Sequence, residues 1–218
     1  MEFEDTINKR HSVRDFKPDE IPEEILREII KLSERTPSWE NSQPWNVYIA
    51  TGETLSKIKS EWESKYAQQV NSAPDMPTGH RTDFSFRGQK NMADFMDYIA
   101  DLTNDSEILY FKETNKLLFN APALIYLTLN EGHTEWSTYD LGAFGMILML
   151  AAKNLGVDSI PAYEIVKYPD VIREYMDVPD DEDGLIRFVT EKFSEQRDYY
   201  ASLDARYDGH KYPDRALV

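Results

Sequence analysis

The sequence predicts one domain that contains both helices and strands and is arranged around a buried central helix. The main observation is the stretch 140–155, DLGAFGMILMLAAKNL, which carries no charge between Asp140 and Lys153. Ala, Leu and Met favour helix, and a helix that is apolar on every side must lie in a core or in a membrane. Because a membrane span takes about 20 apolar residues, we expect this shorter stretch in a protein core. Gly142 and Gly145 have no side chains, so another helix or a flat ligand could approach this face of the helix closely. The alternative is that the two glycines serve packing alone.

The second observation is a mixture of strand and helix patterns in the rest of the chain. Strands are expected at 47–50, 121–129, 157–160 and 184–190. The stretch 121–129, APALIYLTL, has the continuous apolar character of a strand buried on both faces. Apolar residues three or four apart predict helices near 3–7, 22–35, 55–62 and 169–175. Between them, 71–89 has loop character, and two further helices to residue 118 would complete a helical excursion over about 71–118.

Composition limits both the organisation and the partners of the chain. Its 218 residues contain no linker rich in Pro, Ser or Gly, so we expect a single domain, 1–218. Lys and Arg number 24 against 40 Asp and Glu, a formal charge of 24 − 40 = −16, which argues against nucleic acid or a membrane as partner. There is no cysteine, which excludes disulfides, thiolate catalysis and Cys-based metal sites. The opening MEFEDTINKR has no signal-peptide pattern, so a cytoplasmic location is expected.

A short basic segment, RHSVRDF, stands out near the start of this acidic chain. Its polar members are Arg10, His11, Ser12 and Arg14. Alternation about Val13 predicts an extended segment with Ser12 and Arg14 on one side. Two guanidinium groups with a hydroxyl between them suit a phosphate, because Arg forms bidentate, charge-assisted hydrogen bonds. The alternative is a solvated patch paired with nearby aspartates, namely Asp5, Asp15 and Asp19.

A second unusual segment, PSWENSQPW at 37–45, connects a predicted helix to a predicted strand. It holds two prolines, two tryptophans and several polar side chains. Such a segment is either a packed connection or the wall of a ligand site.

Four motifs together resemble the FMN-dependent nitroreductase family. They are RHSVRDF, TPSWENSQPW, DLGAFGMILMLAAKNLG and IPAYEIVKYPD, and HRTDFSFRGQKNM and EWSTYDLGAF are similar to its nitrobenzoate-reductase branch. The resemblance runs over about residues 1–183. It implies an α+β fold, with a mixed, mostly antiparallel sheet flanked by helices and a long central helix at a dimer interface. It also implies an obligate homodimer with two FMN sites, each lined by both chains.

The resemblance also implies roles for individual residues. Arg10 and Ser12 match positions that hold the FMN phosphate and ribityl chain, and His11 contributes mainly backbone. Arg14 matches a basic residue beside N1 and O2 of the flavin, where a cation stabilises the negative charge that develops on reduction. Three further groups complete the implied cofactor site: a wall from the partner chain (Pro37, Ser38, Trp39, Asn41), an amide or lysine at the pyrimidine edge (Gln89 or Lys90), and a loop facing N5 (Pro161, Ala162, Tyr163, Glu164). No catalytic side chain is implied, since the flavin carries the chemistry and Arg14 only tunes it.

Two segments depart from the family pattern. Many relatives carry Glu-Gly where this chain has Tyr163-Glu164, so the contact to N5 is expected from a different amide. The tail, 184–218, lacks the basic pair that clamps the FMN phosphate in relatives, and Arg206, Lys211 and Arg215 are the candidate substitutes.

The function implied is hydride transfer from NADH or NADPH through FMN to a nitroaromatic, quinone or similar small acceptor, in ping-pong order. A flavin-binding protein for storage or sensing, without turnover, is the alternative. A structural acidic domain without a cofactor is the third hypothesis. The choice between NADH and NADPH and the identity of the physiological acceptor stay open.

Overall fold

A four-stranded sheet flanked by helices forms the framework of the chain. The computed structural model describes residues 1–75 and 79–192, with side chains to Glu182. The strands are β1 (Trp45–Ala50), β2 (Ala123–Asn130), β3 (Val157–Ile160) and β4 (Glu182–Lys192). The α-helices are α1 (Phe3–Lys9), α2 (Glu23–Ser33), α3 (Gly52–Ala67), α4 (Phe86–Leu102), α5 (Asp105–Lys116), α6 (Glu135–Asn154) and α7 (Pro169–Met176). All four predicted strands are confirmed, within a few residues at their ends.

The sheet has the order β1-β2-β4-β3, and every neighbouring pair is antiparallel. Among the described residues, parallel pairing is confined to one isolated bridge, between Ser12 and Ser159. This bridge joins the segment after α1 to β3. The prediction of a mostly antiparallel sheet is therefore confirmed.

The central strand β2 separates two hydrophobic cores. Its residues are buried from Ala123 to Leu129, as the uninterrupted apolar sequence predicts. Because successive side chains of a strand point to opposite faces, Leu124 and Tyr126 enter the core formed with α3 and α7. Ile125 and Leu127 enter the other core, with α2 and α6.

A buried carboxylate at the start of β4 joins this strand to β1 and β2 through side-chain hydrogen bonds. Glu182 is buried and accepts hydrogen bonds from the hydroxyls of Tyr48 in β1 and Thr128 in β2. Tyr48 Oη lies 2.9 Å from both carboxylate oxygens. Burial, and then this hydrogen bond to Glu182, raises the pKa of Tyr48 to about 12. The neutral phenol is thus the form that the fold favours.

The central helix α6 is longer than predicted and only one of its sides is buried. It begins at Glu135, because the Thr134 hydroxyl accepts the N–H of Ser137 and caps the first turn. Leu141, Phe144 and Leu148 lie in the core, whereas Met146 and Ile147 on the opposite side are 41% and 36% exposed. The expectation that every side would be buried is wrong for the single chain, because no other element of the described chain covers that side.

The two glycines of α6 lie in different surroundings. Gly145 is buried, whereas Gly142 is exposed, with nothing within 4 Å of where a Cβ would stand. Gly145 therefore lies inside the protein, and Gly142 lies at an open surface. Among the described residues, no helix is long and apolar enough to cross a membrane.

The helical excursion consists of α4 and α5, as predicted, but its first helix begins earlier than expected. The loop predicted over 71–89 is wrong for its last residues, because the Ser85 hydroxyl accepts the N–H of Gly88 and starts α4 at Phe86. All of α4 is described, and none of its residues is buried. Its apolar side chains, including Phe95 and Met96, are left at the surface of the single chain.

Candidate functional site

The basic segment 10–14 is extended, as its alternating sequence predicts, and the structure places it beside β3. Ser12 forms the parallel bridge with Ser159, and the N–H of Val13 donates to the Ser159 carbonyl oxygen at 3.3 Å. Val13 is 2% exposed, whereas Ser12 and Arg14 are half-buried. One hydrophobic side chain thus anchors the segment, and its polar neighbours stay accessible.

A second set of contacts holds the other end of this segment. The N–H of Phe16 donates to the Phe119 carbonyl oxygen at 2.8 Å. The Asp15 carboxylate accepts hydrogen bonds from Asn120 Nδ2, at 2.8 Å, and from the hydroxyl of Tyr110 in α5. Asp15 therefore joins the basic segment to the excursion.

The turn that supplies two of these contacts is strained. Leu118, Phe119 and Asn120 all have positive φ angles, of 49°, 60° and 58°. A left-handed conformation costs an L-residue about 1–2 kcal/mol, so packing and hydrogen bonds must hold all three residues in place. Burial of Leu118 and Phe119 in the core supplies that restraint.

The polar groups of the basic segment differ in how far the protein itself engages them. Arg14 Nη1 donates to the Ser12 carbonyl oxygen at 3.1 Å, and His11 Nδ1 lies 3.0 Å from the Lys9 carbonyl oxygen. Lys9 pairs with Asp5 at 3.3 Å. In the described part of the chain, the Arg10 guanidinium and the Ser12 hydroxyl form no hydrogen bond or ion pair. Two accessible donors in a chain of net charge −16 fit an anionic group such as a phosphate.

The loop Pro161–Glu164 follows β3 directly and therefore begins beside the basic segment. Ala162 is buried, and Tyr163 packs against the core that contains α3 and α7. Glu164 Oε1 pairs with Lys167 Nζ at 2.5 Å, so its carboxylate is engaged within its own 3₁₀ turn. The structure thus brings together two predicted groups that lie far apart in the sequence.

The loop 37–43, which contains the predicted wall residues, lies against the beginning of α6. The N–H of Trp39 donates to Asp140 Oδ2 at 2.9 Å, and Asp140 is only 5% exposed. Within the loop, Ser38 Oγ accepts the N–H of Gln43 at 2.9 Å, and Asn41 Oδ1 accepts from Gln43 Nε2 at 3.2 Å. The φ angles of Glu40, Asn41 and Gln43 are 46°, 61° and 44°, so this loop is also strained.

An aromatic cluster, formed by Trp39, Trp136 and Tyr139, lies where this loop meets α6. The rings of Trp39 and Trp136 stack with centroids 5.2 Å apart, and Tyr139 meets Trp136 edge-on at 6.2 Å. Both tryptophans are 56% exposed. The cluster therefore offers a flat apolar surface to a ligand or to another chain.

Gln89 and Lys90 lie in the first turns of α4, where both side chains bond locally. Gln89 Nε2 donates to the Phe84 carbonyl oxygen at 2.8 Å, and Lys90 Nζ pairs with Asp94 at 2.6 Å. In the described chain no hydrogen bond joins either residue to the other three predicted groups, so their role at the flavin stays a prediction. The candidate phosphate ligands Arg206, Lys211 and Arg215 lie outside the described residues.

Two anchoring carboxylates were not among the predicted site residues. Asp15 was considered only as a counter-ion of the basic segment, and Asp140 only as the first residue of the apolar stretch. A signal for Asp140 was present, because a single carboxylate at the start of an apolar helix must find a hydrogen-bond donor when it is buried.

These elements define an α+β protein in which an extended basic segment, a loop after β3 and a loop on the central helix carry the candidate site. The chain belongs to the nitroreductase family. The sequence model of that family matches residues 7–189, a range that includes most of β4. The family identified from the sequence motifs is thereby confirmed. A second description, the alpha helical domain of the BREX ATP-binding protein BrxC, matches residues 166–218, which is too little of the chain to define its family.

Named relatives and a solved structure agree with this assignment. The chain is 28% identical over 190 residues to a chloronitrobenzene nitroreductase of Comamonas testosteroni, covering 83% of this chain and 82% of that protein. It is 23% identical over 188 residues to a 4-nitrobenzoate reductase of Pseudomonas putida, covering 84% and 81%. The FMN-dependent nitroreductase NfnB of Mycobacterium smegmatis, solved with NADPH, superposes with a TM-score of 0.79 at 25% identity, over 91% of this chain and 90% of that one. The predicted α+β fold is confirmed by this similarity.

Proposed function

We propose that this protein is an FMN-dependent oxidoreductase that passes hydride from NADH or NADPH to a nitroaromatic, quinone or similar acceptor. The observation that carries the proposal is the pair of accessible donors, on Arg10 and Ser12, beside the loop that follows β3. In a member of the nitroreductase family, these groups suit the phosphate end of FMN. Relatives named for nitroaromatic reduction and a fold neighbour solved with NADPH support the substrate classes.

The residues of this chain bind and orient the cofactor. Arg10 and Ser12 would hold the phosphate and ribityl chain, with His11 contributing backbone. Arg14 would stabilise the negative charge that develops on the flavin during reduction. FMN itself supplies the hydride-accepting and hydride-donating chemistry when bound. The backbone of Pro161–Glu164 would supply the contact to N5, and Gln89 or Lys90 would bind the pyrimidine edge.

The proposal includes a homodimer with its FMN sites at the interface. In the single chain, α6 exposes Met146 and Ile147, and α4 exposes Phe95 and Met96. Exposed apolar surface of this kind marks an interaction site, and a two-fold interface between identical chains is the common way to cover it. Pro37, Ser38, Trp39 and Asn41 would then form a wall of the partner's flavin site.

The proposed order of reaction is ping-pong, with nicotinamide and acceptor occupying the same place in turn. The sequence contains no G-x-G-x-x-G fingerprint for a separate nucleotide-binding unit. Nicotinamide needs only to stack on the flavin, so a shared place is sufficient. Because the acceptor must fit the place that nicotinamide leaves, the proposal is for a small acceptor.

The spectrum of the purified protein tests the proposal. We expect a flavin spectrum that NADH or NADPH bleaches without oxygen, and that an added nitroaromatic restores. Bound flavin that neither nicotinamide bleaches would instead support storage or sensing without turnover. A protein that stays colourless after incubation with FMN would contradict both functions.

A further inference from the structure

Asp140 is a buried carboxylate whose hydrogen bond reaches across to the loop 37–43. It lies one turn and a half into α6 and is 5% exposed. A buried carboxylate is costly unless donors satisfy it, and here the donor is the Trp39 N–H, at 2.9 Å. The contact therefore provides a firm attachment at the edge of the core.

The loop depends on this attachment because its other hydrogen bonds are internal. The N–H groups of Asn41 and Ser42 donate to Ser38 and Trp39, and Gln43 donates to Ser38 and Asn41. Among the described residues, Asp140 is the group outside the loop that hydrogen-bonds to it. The loop also contains three non-glycine residues with positive φ. Such a conformation persists only where surrounding contacts hold it.

We propose that Asp140 is a positioning residue that fixes this loop on α6, so that Ser38, Trp39 and Asn41 are preformed for the partner's FMN. The inference rests on the proposed function, in which the loop is a wall of that site. Asp140 belongs to α6, and the exposed side of this helix forms the proposed dimer contact. Its carboxylate therefore fixes the position of the loop relative to the dimer interface. A preformed wall avoids the entropy cost of ordering the loop when FMN binds.

Two substitutions of Asp140 distinguish the loss of its hydrogen-bond acceptor from the loss of its charge. Asp140→Asn keeps an oxygen that can accept the Trp39 N–H, whereas Asp140→Leu keeps the approximate shape without an acceptor. Asp140→Ala is the alternative should the leucine variant not fold. The matched control is Ser33→Ala, because the Ser33 side chain is also buried but donates its hydrogen bond within α2, to the Ile29 carbonyl oxygen at 2.7 Å.

Two measurements on the dimeric protein test the inference. The first is the FMN dissociation constant, which should rise on the order of tenfold in Asp140→Leu and stay near the wild-type value in Asp140→Asn and Ser33→Ala. The second is the near-ultraviolet circular dichroism of the stacked Trp39–Trp136 pair, identified by its loss in Trp136→Phe. That signal should diminish in Asp140→Leu and persist in Asp140→Asn.

Rescue by asparagine at a similar melting temperature distinguishes positioning from general stability. A folded leucine or alanine variant with the wild-type dichroism and FMN affinity would overturn the inference. An asparagine variant as impaired as the leucine variant would also overturn it. If wild-type protein binds no FMN, the proposed function fails, but the dichroism still decides whether Asp140 fixes the loop.

Discussion

Replacing Arg10 by alanine should weaken FMN binding while leaving the fold intact. A hydrogen bond to a charged group contributes roughly 1.5–3 kcal/mol, and each 1.4 kcal/mol is tenfold, so the dissociation constant should rise by about 10- to 150-fold. The guanidinium bonds to no described residue, so its removal leaves no orphaned partner in that part of the chain. The free energy of unfolding without FMN should therefore change by less than about 0.5 kcal/mol.

The chain offers two comparisons that isolate this contact. Lys9→Ala removes the same charge one residue earlier, from a side chain that pairs with Asp5 at the surface, and should change FMN affinity by less than about twofold. Arg10→Lys keeps the charge but loses the planar guanidinium. Its FMN dissociation constant should lie between those of Arg10→Ala and the wild type. Titration of the apoprotein with FMN, followed by quenching of flavin fluorescence, gives all three constants. An unchanged constant in Arg10→Ala would refute the phosphate role and redirect attention to Arg206, Lys211 and Arg215.

Three further predictions concern the flavin's other end, the interface and the buried phenol. Arg14→Ala should keep FMN bound but slow its reduction by NADPH, because a cation near N1 is lost at a cost of a few kcal/mol; stopped-flow reduction at the wild-type rate would contradict this role. Ile147→Asp should yield monomers by light scattering at micromolar concentration, with weaker FMN binding, whereas Val70→Asp, at a similarly exposed site outside α6, should stay dimeric. The Tyr48 phenol has a pKa of about 12 against 10 when unfolded, so its stabilising effect should be complete below pH 10 and vanish as pH rises through 12. Tyr48→Phe should lack that part of the pH dependence, and a Tyr48 absorbance change near pH 10 would exclude the raised pKa.

The site was only partly predictable from the sequence, and the reason differs between its groups. Arg10 and Arg14 were recognisable because basic density is rare in so acidic a chain, and the alternation around Val13 correctly predicted an extended segment. The contact between this segment and Ser159 was not predictable, because the pairing of two distant extended stretches leaves no local signal. Gln89 and Lys90 lie on α4, although the predicted loop ran as far as Gln89. Their assignment rests on family resemblance, and their side chains bond locally.

The sequence by itself determined most of the elements, because periodicity and uninterrupted apolar stretches act over a few neighbouring residues, and its motifs carried the resemblance to the family. The strand β2, the helices α2 and α3, and the helical character of α6 all follow from such local patterns. Only the tertiary structure decided which side of α6 faces the core and which stays exposed, since an evenly apolar helix has no preferred side. It also decided that Asp140 bonds to Trp39 and that Asp15 bonds to Asn120. A hydrogen bond between residues about a hundred positions apart arises from the packing of whole elements, which no local pattern encodes.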